Sequence, residues 1–367
     1  MASISKYSTN KGTKWRVSYR NEQGQSKTKA GFRTKAQAQA WIHQHETDKI
    51  RGESVDDRGA TVDYFIKRWK DLKIPTWSKS WGRSMGVHID KNVLPYWEGK
   101  KVANVRRADV QEWVNNMSTT YAPKTIKHMR ACLKGSLDLA VEEAYIKKNP
   151  CEGITLPRAV PEEKIFLTLG QVKTLSEKAK YPLIVLLLGT VGLRWNEVAG
   201  LRVKNVDLEK RRIYIRQGAT TVDTEVVETP LKTANARRDV VYPPFMQESL
   251  ERLVAERRKA DGEDAFLFVK KGTTENAPLK LPSNKGWFDY ASQRAHAVDP
   301  SIPADLTPHD LRHAAAGILV GSGATVLGVQ RQLGHASAAM TLDIYAGLWD
   351  TSLDELADTM SEQWDAL

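Results

Sequence analysis

The hydrophobic and polar positions divide the chain into three segments, and the first has the period of β-structure. KWRVSYR (14–20) alternates apolar and basic residues, and SKTKAGF (26–32) follows after the turn-like NEQGQ, which predicts two strands. Thr34 and Gln37 have the spacing of a capping box, so we expect a helix to begin after Thr34. This segment therefore predicts a small sheet packed against one helix.

The second segment has helical periods. Apolar residues share one helical face in TVDYFIKRWKDLK at Val62, Phe65, Ile66 and Trp69. A second stripe follows in YAPKTIKHMRACLKGSLDLAVEEAYI at Ile126, Met129, Leu133, Leu137 and Val141. Pro150, in NPCEGI, should end this helical segment. GESVDDRGA before the segment and LPRAVPEEK after it are typical of linkers.

The third segment mixes both periods. TLGQVKTLSEKAK predicts a helix with Leu169, Val172 and Leu175 in the core, and YPLIVLLLGTVGL predicts a buried helix too short for a bilayer, which needs about 20 residues. NVDLEKRRIYIR and TEVVETPLKTANARRDVVYPP are predicted as strands around a hairpin, and most of the rest as helix. The acidic tail LWDTSLDELADTMSEQWDAL predicts an amphipathic helix that needs a groove, either on a partner or on its own domain.

The net charge of the chain indicates a negatively charged binding partner. The 367 residues carry a formal net charge of +11, which favours DNA or RNA as a partner, then an anionic membrane surface, with a merely solvated surface as the ordinary alternative. The two cysteines lie in no CxxC pair, so no disulfide framework or zinc ribbon is indicated. MASISKYSTNKGTK lacks the apolar core of a signal peptide, so we expect a cytoplasmic protein.

Two groups of basic residues are candidates for binding DNA. The first lies on the predicted strands and comprises Lys14, Arg16, Arg20, Lys27 and Lys29. The second lies at helical spacing and comprises Lys124, Lys127, Arg130 and Lys134. An ordinary solvated helix face explains the second group nearly as well.

The stretch HDLRH (309–313) raises the question of metal. Two histidines four apart on a helix can share a zinc ion, but a zinc protease needs a glutamate directly after the first histidine, and Asp310 stands there. No third ligand is evident except His335. A plain helix start, with Thr307 as cap and Pro308 in the first turn, explains much of the motif without metal.

Two arginines in apolar surroundings indicate an anion instead. Arg194 stands between Leu193 and Trp195, and Arg312 precedes an apolar run. Buried arginine needs an anionic partner, which Glu197 could supply within the protein, or the two guanidinium groups could together hold a phosphate. A tyrosine phenol such as that of Tyr345 is a poor nucleophile at neutral pH, but a phosphate held by cations would lower the barrier to its attack.

The ordered motifs GLRWNE, PLKTANARRDV, HDLRH and LGHASAAMTLDIYA resemble those of the tyrosine recombinase (phage integrase) family. The resemblance extends to the whole third segment. The second segment resembles the family's helical core-binding domain, and the first resembles the arm-binding domain of lambda-type integrases. The catalytic set implied by the resemblance is Arg194, Lys232, His309, Arg312, His335 and Tyr345. The chain departs from the family pattern at Gly347, where many members have histidine, and at Trp195, where a small residue is common.

The resemblance implies a role for each residue. Tyr345 would attack the scissile phosphodiester to form a 3′-phosphotyrosyl bond, while the two arginines hold the non-bridging oxygens. Lys232, with Lys204 as a weaker competitor, would protonate the leaving 5′-oxygen. His309 would act on protons near the phosphate, and His335 would donate a hydrogen bond to the phosphate. Glu197 would orient Arg194. His313 would be structural, and neither metal nor ATP is required.

The expected protein is a multidomain α+β integrase. It would have a three-stranded sheet plus helix at 1–57, an all-α core-binding domain at 58–156, and a mostly helical catalytic domain with a small antiparallel sheet at 157–367. The resemblance also implies a homotetramer on double-stranded DNA with core-type and arm-type sites, a swapped C-terminal helix, a host DNA-bending factor and an excisionase-like directionality factor. The alternatives are a transposon recombinase, a type IB topoisomerase-like enzyme and a non-catalytic DNA-binding protein.

Overall fold

The chain forms two compact units, residues 1–161 and 162–367. The computed structural model describes residues 2–9, 12–20, 26–50, 59–159, 164–222, 225–230, 237–272, 275–349 and 353–366. Most of the linker predicted in GESVDDRGA lies outside the described residues, as does part of LPRAVPEEK.

The first unit begins with an antiparallel sheet in the order β1-β2-β3. Its strands are β1 (Ser3–Thr9), β2 (Gly12–Arg20) and β3 (Ser26–Phe32), and the helix α1 (Lys35–Ile50) follows. Val17, an apolar position of the alternating pattern, is fully buried, and Tyr19 packs edge-on against Trp41 of α1 at 5.1 Å. The Thr34 hydroxyl accepts the backbone N–H of Gln37, so the predicted sheet, helix and cap are confirmed.

The rest of the first unit is helical, as the two apolar stripes predict. Its helices are α2 (Val62–Lys73), α3 (Lys79–His88), α4 (Leu94–Trp97), α5 (Arg107–Met117) and α6 (Pro123–Glu142). All four stripe residues of α2 are buried, and so are four of the five on α6. Val141 is only half-buried, because the neighbouring Ala140 turns to the core at the end of α6.

The second unit is mostly helical around one large core. Its helices are α7 (Leu169–Lys178), α8 (Pro182–Leu186), α9 (Trp195–Ala199), α10 (Gln247–Asp261), α11 (Trp287–Val298), α12 (Pro308–Gly321), α13 (Val326–Leu333), α14 (Ala338–Tyr345) and α15 (Leu353–Asp365). Val172 and Leu175 are buried as predicted, but Leu169 is 48% exposed because it occupies the first position of α7, directly after the cap Thr168. None of the described helices is long and apolar enough to cross a membrane.

The strands of the second unit pair differently from the predicted hairpin. They are β4 (Val206–Asp207), β5 (Arg212–Ile215), β6 (Gln217–Val222), β7 (Glu225–Pro230) and β8 (Arg238–Val241). β7 pairs with β6, whereas β8 pairs with β5 in a three-stranded sheet with β4. β7 and β8, which both lie in the second predicted stretch, therefore belong to different sheets, while β5 of the first stretch pairs with β8. The α+β class is nevertheless the one expected.

A close approach of α2 to α6 generates a test of this packing. A Cβ added at Gly135 of α6 would lie 2.4 Å from Nε1 of buried Trp69, so Gly135→Ala should lower the free energy of unfolding by about 1–3 kcal/mol. Gly82 of α3 is the matched control, because a Cβ added there would be 3.6 Å from its nearest neighbour. Gly82→Ala should therefore raise the free energy of unfolding by about 0.5–1 kcal/mol. Urea unfolding of the full chain measures both. Equal effects of the two substitutions would contradict the packing.

Candidate active site

In the GLR motif, Gly192 ends a buried helical segment, and the turn it forms positions Arg194. After α8 and a wide turn at Leu187–Val191, Gly192 takes the left-handed conformation with φ +78°. A Cβ there would lie 2.3 Å from Cδ2 of Leu333, so only glycine fits. The Gly192 carbonyl accepts a 2.6 Å hydrogen bond from Nη1 of Arg312. This turn, two residues before Arg194, is thus held against α12.

The LGH motif uses a second left-handed glycine in the same way. Gly334 has φ +68° and ends α13, and its carbonyl accepts a 3.2 Å hydrogen bond from Nη2 of Arg194. A Cβ at Gly334 would lie 2.8 Å from Cδ of Arg238, so the glycine also admits that side chain. The turn then delivers His335 to the site.

A buried carboxylate joins two arginines at the centre of the site. Glu197 is 3% exposed and accepts two hydrogen bonds from Arg238, at 2.8 Å and 2.9 Å. It also accepts the Nη1–H and the backbone N–H of Arg194, each at 2.9 Å. Burial alone would raise the pKa of Glu197, but hydrogen bonds and attraction from Arg238, aided by Arg194, lower this pKa to about 2.

Arg312 has no comparable partner among the residues that the structure describes. Its side chain is 3% exposed, and its two bonds go to the carbonyls of Gly192 and Leu333, both at 2.6 Å. Burial and then repulsion from Arg194 lower the pKa of Arg312 to about 9, so it stays protonated at neutral pH. The guanidinium has lost water without a described carboxylate hydrogen-bonded to it, an arrangement that favours a bound anion.

Tyr345 and His335 lie beside these arginines. Tyr345, at the end of α14, is buried, and the His335 ring stacks on it at 6.0 Å with an interplanar angle of 12°. His335 Nδ1 is 2.9 Å from the Thr341 hydroxyl. Burial, then repulsion from Arg312 and Arg194, lowers the pKa of His335 to about 4. Burial raises the pKa of Tyr345, while the two arginines oppose that rise.

The HDLRH stretch opens α12, and its acidic residue serves the helix start. Asp310 accepts hydrogen bonds from both the backbone N–H and the hydroxyl of Thr307, at 2.8 Å and 2.7 Å, so it acts as part of the helix cap. Within the described ranges, no cluster of three or more His, Cys, Asp or Glu side chains could hold a metal ion. Partial desolvation and then Arg312 lower the pKa of His309, which lies at the surface.

The structure brings together most of the residues expected at the site. Arg194, Arg312, His335 and Tyr345 converge, and His309 lies one turn before His313 on α12. Lys232 lies outside the described residues. Its weaker competitor Lys204 pairs with Asp264. The predicted role of each residue in catalysis stays a prediction.

Three contacts were missed by sequence reasoning. Arg238 was not singled out, although the alternation in β8 places it on the same buried face as Val240. The expected role of His313 is structural, and the contact of its Nδ1 with the Tyr345 hydroxyl at 2.8 Å is not among the expectations. Lys164 donates a 2.9 Å hydrogen bond to the Ile344 carbonyl, and no sequence signal points to that contact.

The predicted DNA-binding residues fall into two groups in the structure. In the sheet of the first unit, Arg16, Arg20, Lys27 and Lys29 are exposed and Lys14 is half-buried. On α6, Lys124 and Lys127 are exposed, but Arg130 bonds the Cys151 carbonyl and Lys134 pairs with Asp138 at 2.8 Å. The four residues therefore do not form a uniformly free stripe, and DNA binding by either group stays a prediction.

Comparison with known proteins gives the class. Residues 162–351 match the model of the phage integrase family. A transposase from transposon Tn916 of Enterococcus faecalis is 29% identical over 279 residues, which cover 70% of this chain and 67% of the relative. An integrase of Mycobacterium phage D29 is 27% identical, covering 82% and 78% of the two chains. A XerC-like tyrosine recombinase of Caldanaerobacter subterraneus is 26% identical, covering 90% of each.

Solved structures share the fold. The Tn1549 transposon integrase, in complex with a circular intermediate DNA, superposes with a TM-score of 0.68 at 21% identity, covering 83% of this chain and 99% of that one. A lambda integrase tetramer bound to a Holliday junction gives 0.53 at 15% identity, covering 91% and 96%. The fold is therefore that of tyrosine recombinases.

The chain belongs to the phage integrase family. It is a tyrosine site-specific recombinase, as the ordered motifs predict, and the expected resemblance and enzyme class are confirmed.

The buried ion pair predicts a pH-dependent stability. Arg238→Met would leave Glu197 with Arg194 alone and should lower the free energy of unfolding at pH 7 by about 3–5 kcal/mol. Since the pKa of Glu197 is depressed, its contribution is fully present above its ordinary value of 4.5 and is lost as pH falls towards about 2. The deficit should therefore shrink between pH 7 and pH 3.

Urea unfolding at pH 7, 4 and 3 measures this deficit, with Arg252→Met as control because the Arg252–Glu248 pair is exposed. A deficit of equal size at every pH would contradict the role of the Glu197 charge.

Proposed function

We propose that this recombinase is the integrase of a mobile genetic element, either a temperate phage or a related element, and that it cuts and rejoins DNA through Tyr345. One observation supports this most strongly. A buried cation, Arg312, lies beside the partly exposed Arg194 and near the Tyr345 nucleophile, and no carboxylate of the described residues is hydrogen-bonded to it. A phosphodiester supplies the missing negative charge.

The proposed reaction starts with attack of the Tyr345 oxygen on the scissile phosphorus. The new bond is a 3′-phosphotyrosyl ester, and the bond that breaks frees a 5′-oxygen, which takes a proton from Lys232. Arg194 and Arg312 donate hydrogen bonds to the non-bridging oxygens, where guanidinium groups match the phosphate geometry. Because the ester conserves the energy of the phosphodiester bond, joining by a second 5′-hydroxyl needs neither ATP nor metal.

The other site residues support those contacts. His335 Nδ1 is occupied by Thr341, so Nε2 is the ring nitrogen that would donate to a phosphate oxygen. Its lowered pKa keeps the ring neutral at pH 7, with one N–H to donate. Glu197 holds the Arg194 guanidinium in place, and Arg238 holds Glu197. His309, at the surface beside Arg312, would exchange protons near the phosphate.

The proposed DNA contacts extend over the whole chain. Residues 1–57 would bind arm-type sites through Lys14, Arg16, Arg20, Lys27 and Lys29. Residues 58–156 would bind core-type sites through α6, with Lys124 and Lys127 as the exposed cations and Arg130 and Lys134 reaching DNA only by exchanging their present partners. Residues 157–367 would carry the chemistry. These boundaries are part of the proposal.

Recombination between two sites implies an assembly. We infer a homotetramer that exchanges strands through a Holliday junction, and the lambda integrase tetramer bound to such a junction supports this by its shared fold. Met360 and Trp364 of α15 are 71% and 78% exposed, which suits a helix that docks on a neighbouring copy. A host DNA-bending factor and a directionality factor would act with the arm domain, on DNA in the host cytoplasm. The Tn916 and Tn1549 enzymes favour a transposon as the second possible source element.

Covalent capture tests the proposed chemistry. Purified protein is incubated in EDTA with fragmented DNA of its source genome, quenched with detergent, and the attached DNA is sequenced. Wild-type protein should give site-specific adducts, and Tyr345→Phe should abolish them because the nucleophilic oxygen is lost. Tyr290→Phe removes the hydroxyl of an exposed tyrosine on α11 and should leave the yield unchanged.

The alternatives give different results in the same assay. Cleavage that requires added metal and survives in Tyr345→Phe would contradict the tyrosine mechanism. Adducts at random positions, with relaxation of supercoils by monomers, would indicate a topoisomerase. DNA binding without any adduct from the wild-type protein would indicate a non-catalytic DNA-binding protein.

The arm domain should contribute electrostatic binding. Lys27 and Lys29 are exposed on β3, and removing one lysine that neutralises a phosphate should reduce the slope of log K against log salt by about 0.9. The double variant Lys27→Gln, Lys29→Gln should therefore show a slope reduced by about 1.8 in a titration with duplex DNA that contains the captured cleavage site and its flanking sequence. A slope equal to that of the wild type would place these lysines outside the interface.

A further inference from the structure

The Tyr345 hydroxyl has a direct hydrogen-bonding partner that the proposed reaction does not yet use. Nδ1 of His313, on α12, lies 2.8 Å from Oη of Tyr345, at the end of α14. The two ring centroids are 5.7 Å apart with an interplanar angle of 62°. An attacking phenol must lose its proton, and a base must lie within about 2.6–3.2 Å of the oxygen to accept it.

Other nearby groups are poorly suited to that task. His335 stacks on the Tyr345 ring rather than meeting its hydroxyl in the ring plane, and its Nδ1 is bonded to Thr341. Lys164 donates to the Ile344 carbonyl and lies over the Tyr345 ring, but an ammonium has no lone pair to accept a proton. His313 combines the right distance with a ring nitrogen that accepts a proton when its tautomer places the hydrogen on Nε2.

We propose that His313 is the base that takes the phenolic proton of Tyr345 as the tyrosine oxygen bonds to phosphorus. This inference rests on the proposed function and makes His313 a catalytic residue rather than a structural one. The proton moves from Oη to Nδ1 while the 5′-oxygen leaves with a proton from Lys232. In the joining step the 5′-hydroxyl bonds to phosphorus and gives its proton to Lys232, while His313 returns the proton to the departing tyrosine oxygen.

The surroundings keep His313 ready to accept. Burial, and then repulsion from His309, lowers the pKa of His313 below its ordinary 6.5, with Lys164 and Arg312 adding to this and Asp310 opposing it. The ring is therefore neutral at pH 7, and one of its nitrogens carries a free lone pair. Three of these neighbours lie on α12 itself, whereas Lys164 comes from the segment before α7.

The same segment also fixes the tyrosine. The Phe166 ring meets the Tyr345 ring edge-on at 6.2 Å, and Lys164 bonds the backbone carbonyl just before Tyr345. These contacts limit how the phenol can turn away from His313. The hydrogen bond is thus part of a restrained geometry on both sides.

Single-turnover cleavage of a DNA duplex recovered by covalent capture tests the proposal. His313→Asn keeps a polar atom near the Nδ1 position but cannot take up a proton, and it should cleave about 100-fold more slowly than the wild type. The wild-type rate should fall as the pH drops through the lowered pKa of His313 and the ring becomes charged, and His313→Asn should lose this part of the pH dependence. A merely structural histidine would leave the dependence in place.

A modified substrate separates the two ends of the reaction. In a duplex with a 5′-bridging phosphorothiolate, the leaving sulfur needs no proton, so Lys232→Ala should recover its cleavage rate. His313→Asn should stay slow, because its defect concerns the attacking oxygen. Recovery of His313→Asn on this substrate, or a rate equal to or above the wild type on ordinary DNA, would overturn the proposal.

Nitrogen NMR of the ¹⁵N-histidine-labelled protein without DNA gives an independent result. At pH 7, Nδ1 of His313 should have the shift of an unprotonated nitrogen, with Nε2 carrying the proton. A protonated Nδ1 would make His313 the donor to Tyr345 and would exclude it as the base. If the wild type forms no Tyr345 adduct, the proposed function fails; if the wild type forms adducts and His313→Asn matches it, only this inference fails.

Discussion

The site depends on one buried interaction, the carboxylate of Glu197 held between Arg238 and Arg194. A charge removed from water is stable in a protein only with charged and hydrogen-bonded partners, and here three elements meet around the Glu197 carboxylate and the arginines bound to it. α9 contributes Glu197, β8 contributes Arg238, and the turn after α13 accepts Arg194. Glu197 and its two arginines therefore hold a helix, a sheet and a turn in one arrangement around the position proposed for the phosphate.

Arg312 differs from these two arginines, because no carboxylate in the described part of the chain is hydrogen-bonded to it. Its guanidinium is buried and bonded to two carbonyls, so the fold maintains a positive charge that a bound phosphodiester would offset. Arg238 is hydrogen-bonded to a carboxylate, whereas the described partners of Arg312 are carbonyl oxygens, and this contrast explains how two buried arginines can serve different purposes. One organises the protein, and the other is available to a ligand.

The tyrosine is positioned by a separate group of contacts. Burial makes its phenol harder to ionise, while the arginines that would hold the phosphate make it easier. As the proposed base, His313 would resolve this conflict, since a base at 2.8 Å allows the proton to leave as the new bond forms rather than before it. Lys164 and Phe166 tie this geometry to the segment that precedes α7.

The sequence by itself determined the helical stripes, the small N-terminal sheet, the α+β class and the family, because these depend on local periodicity and on ordered motifs such as GLRWNE and HDLRH. Only the tertiary structure decided that β7 and β8 enter different sheets, that Arg238 neutralises Glu197 and that His313 meets Tyr345. The two side-chain contacts join residues 41 and 32 positions apart, and pairing over such separations follows from how the elements pack rather than from any local pattern.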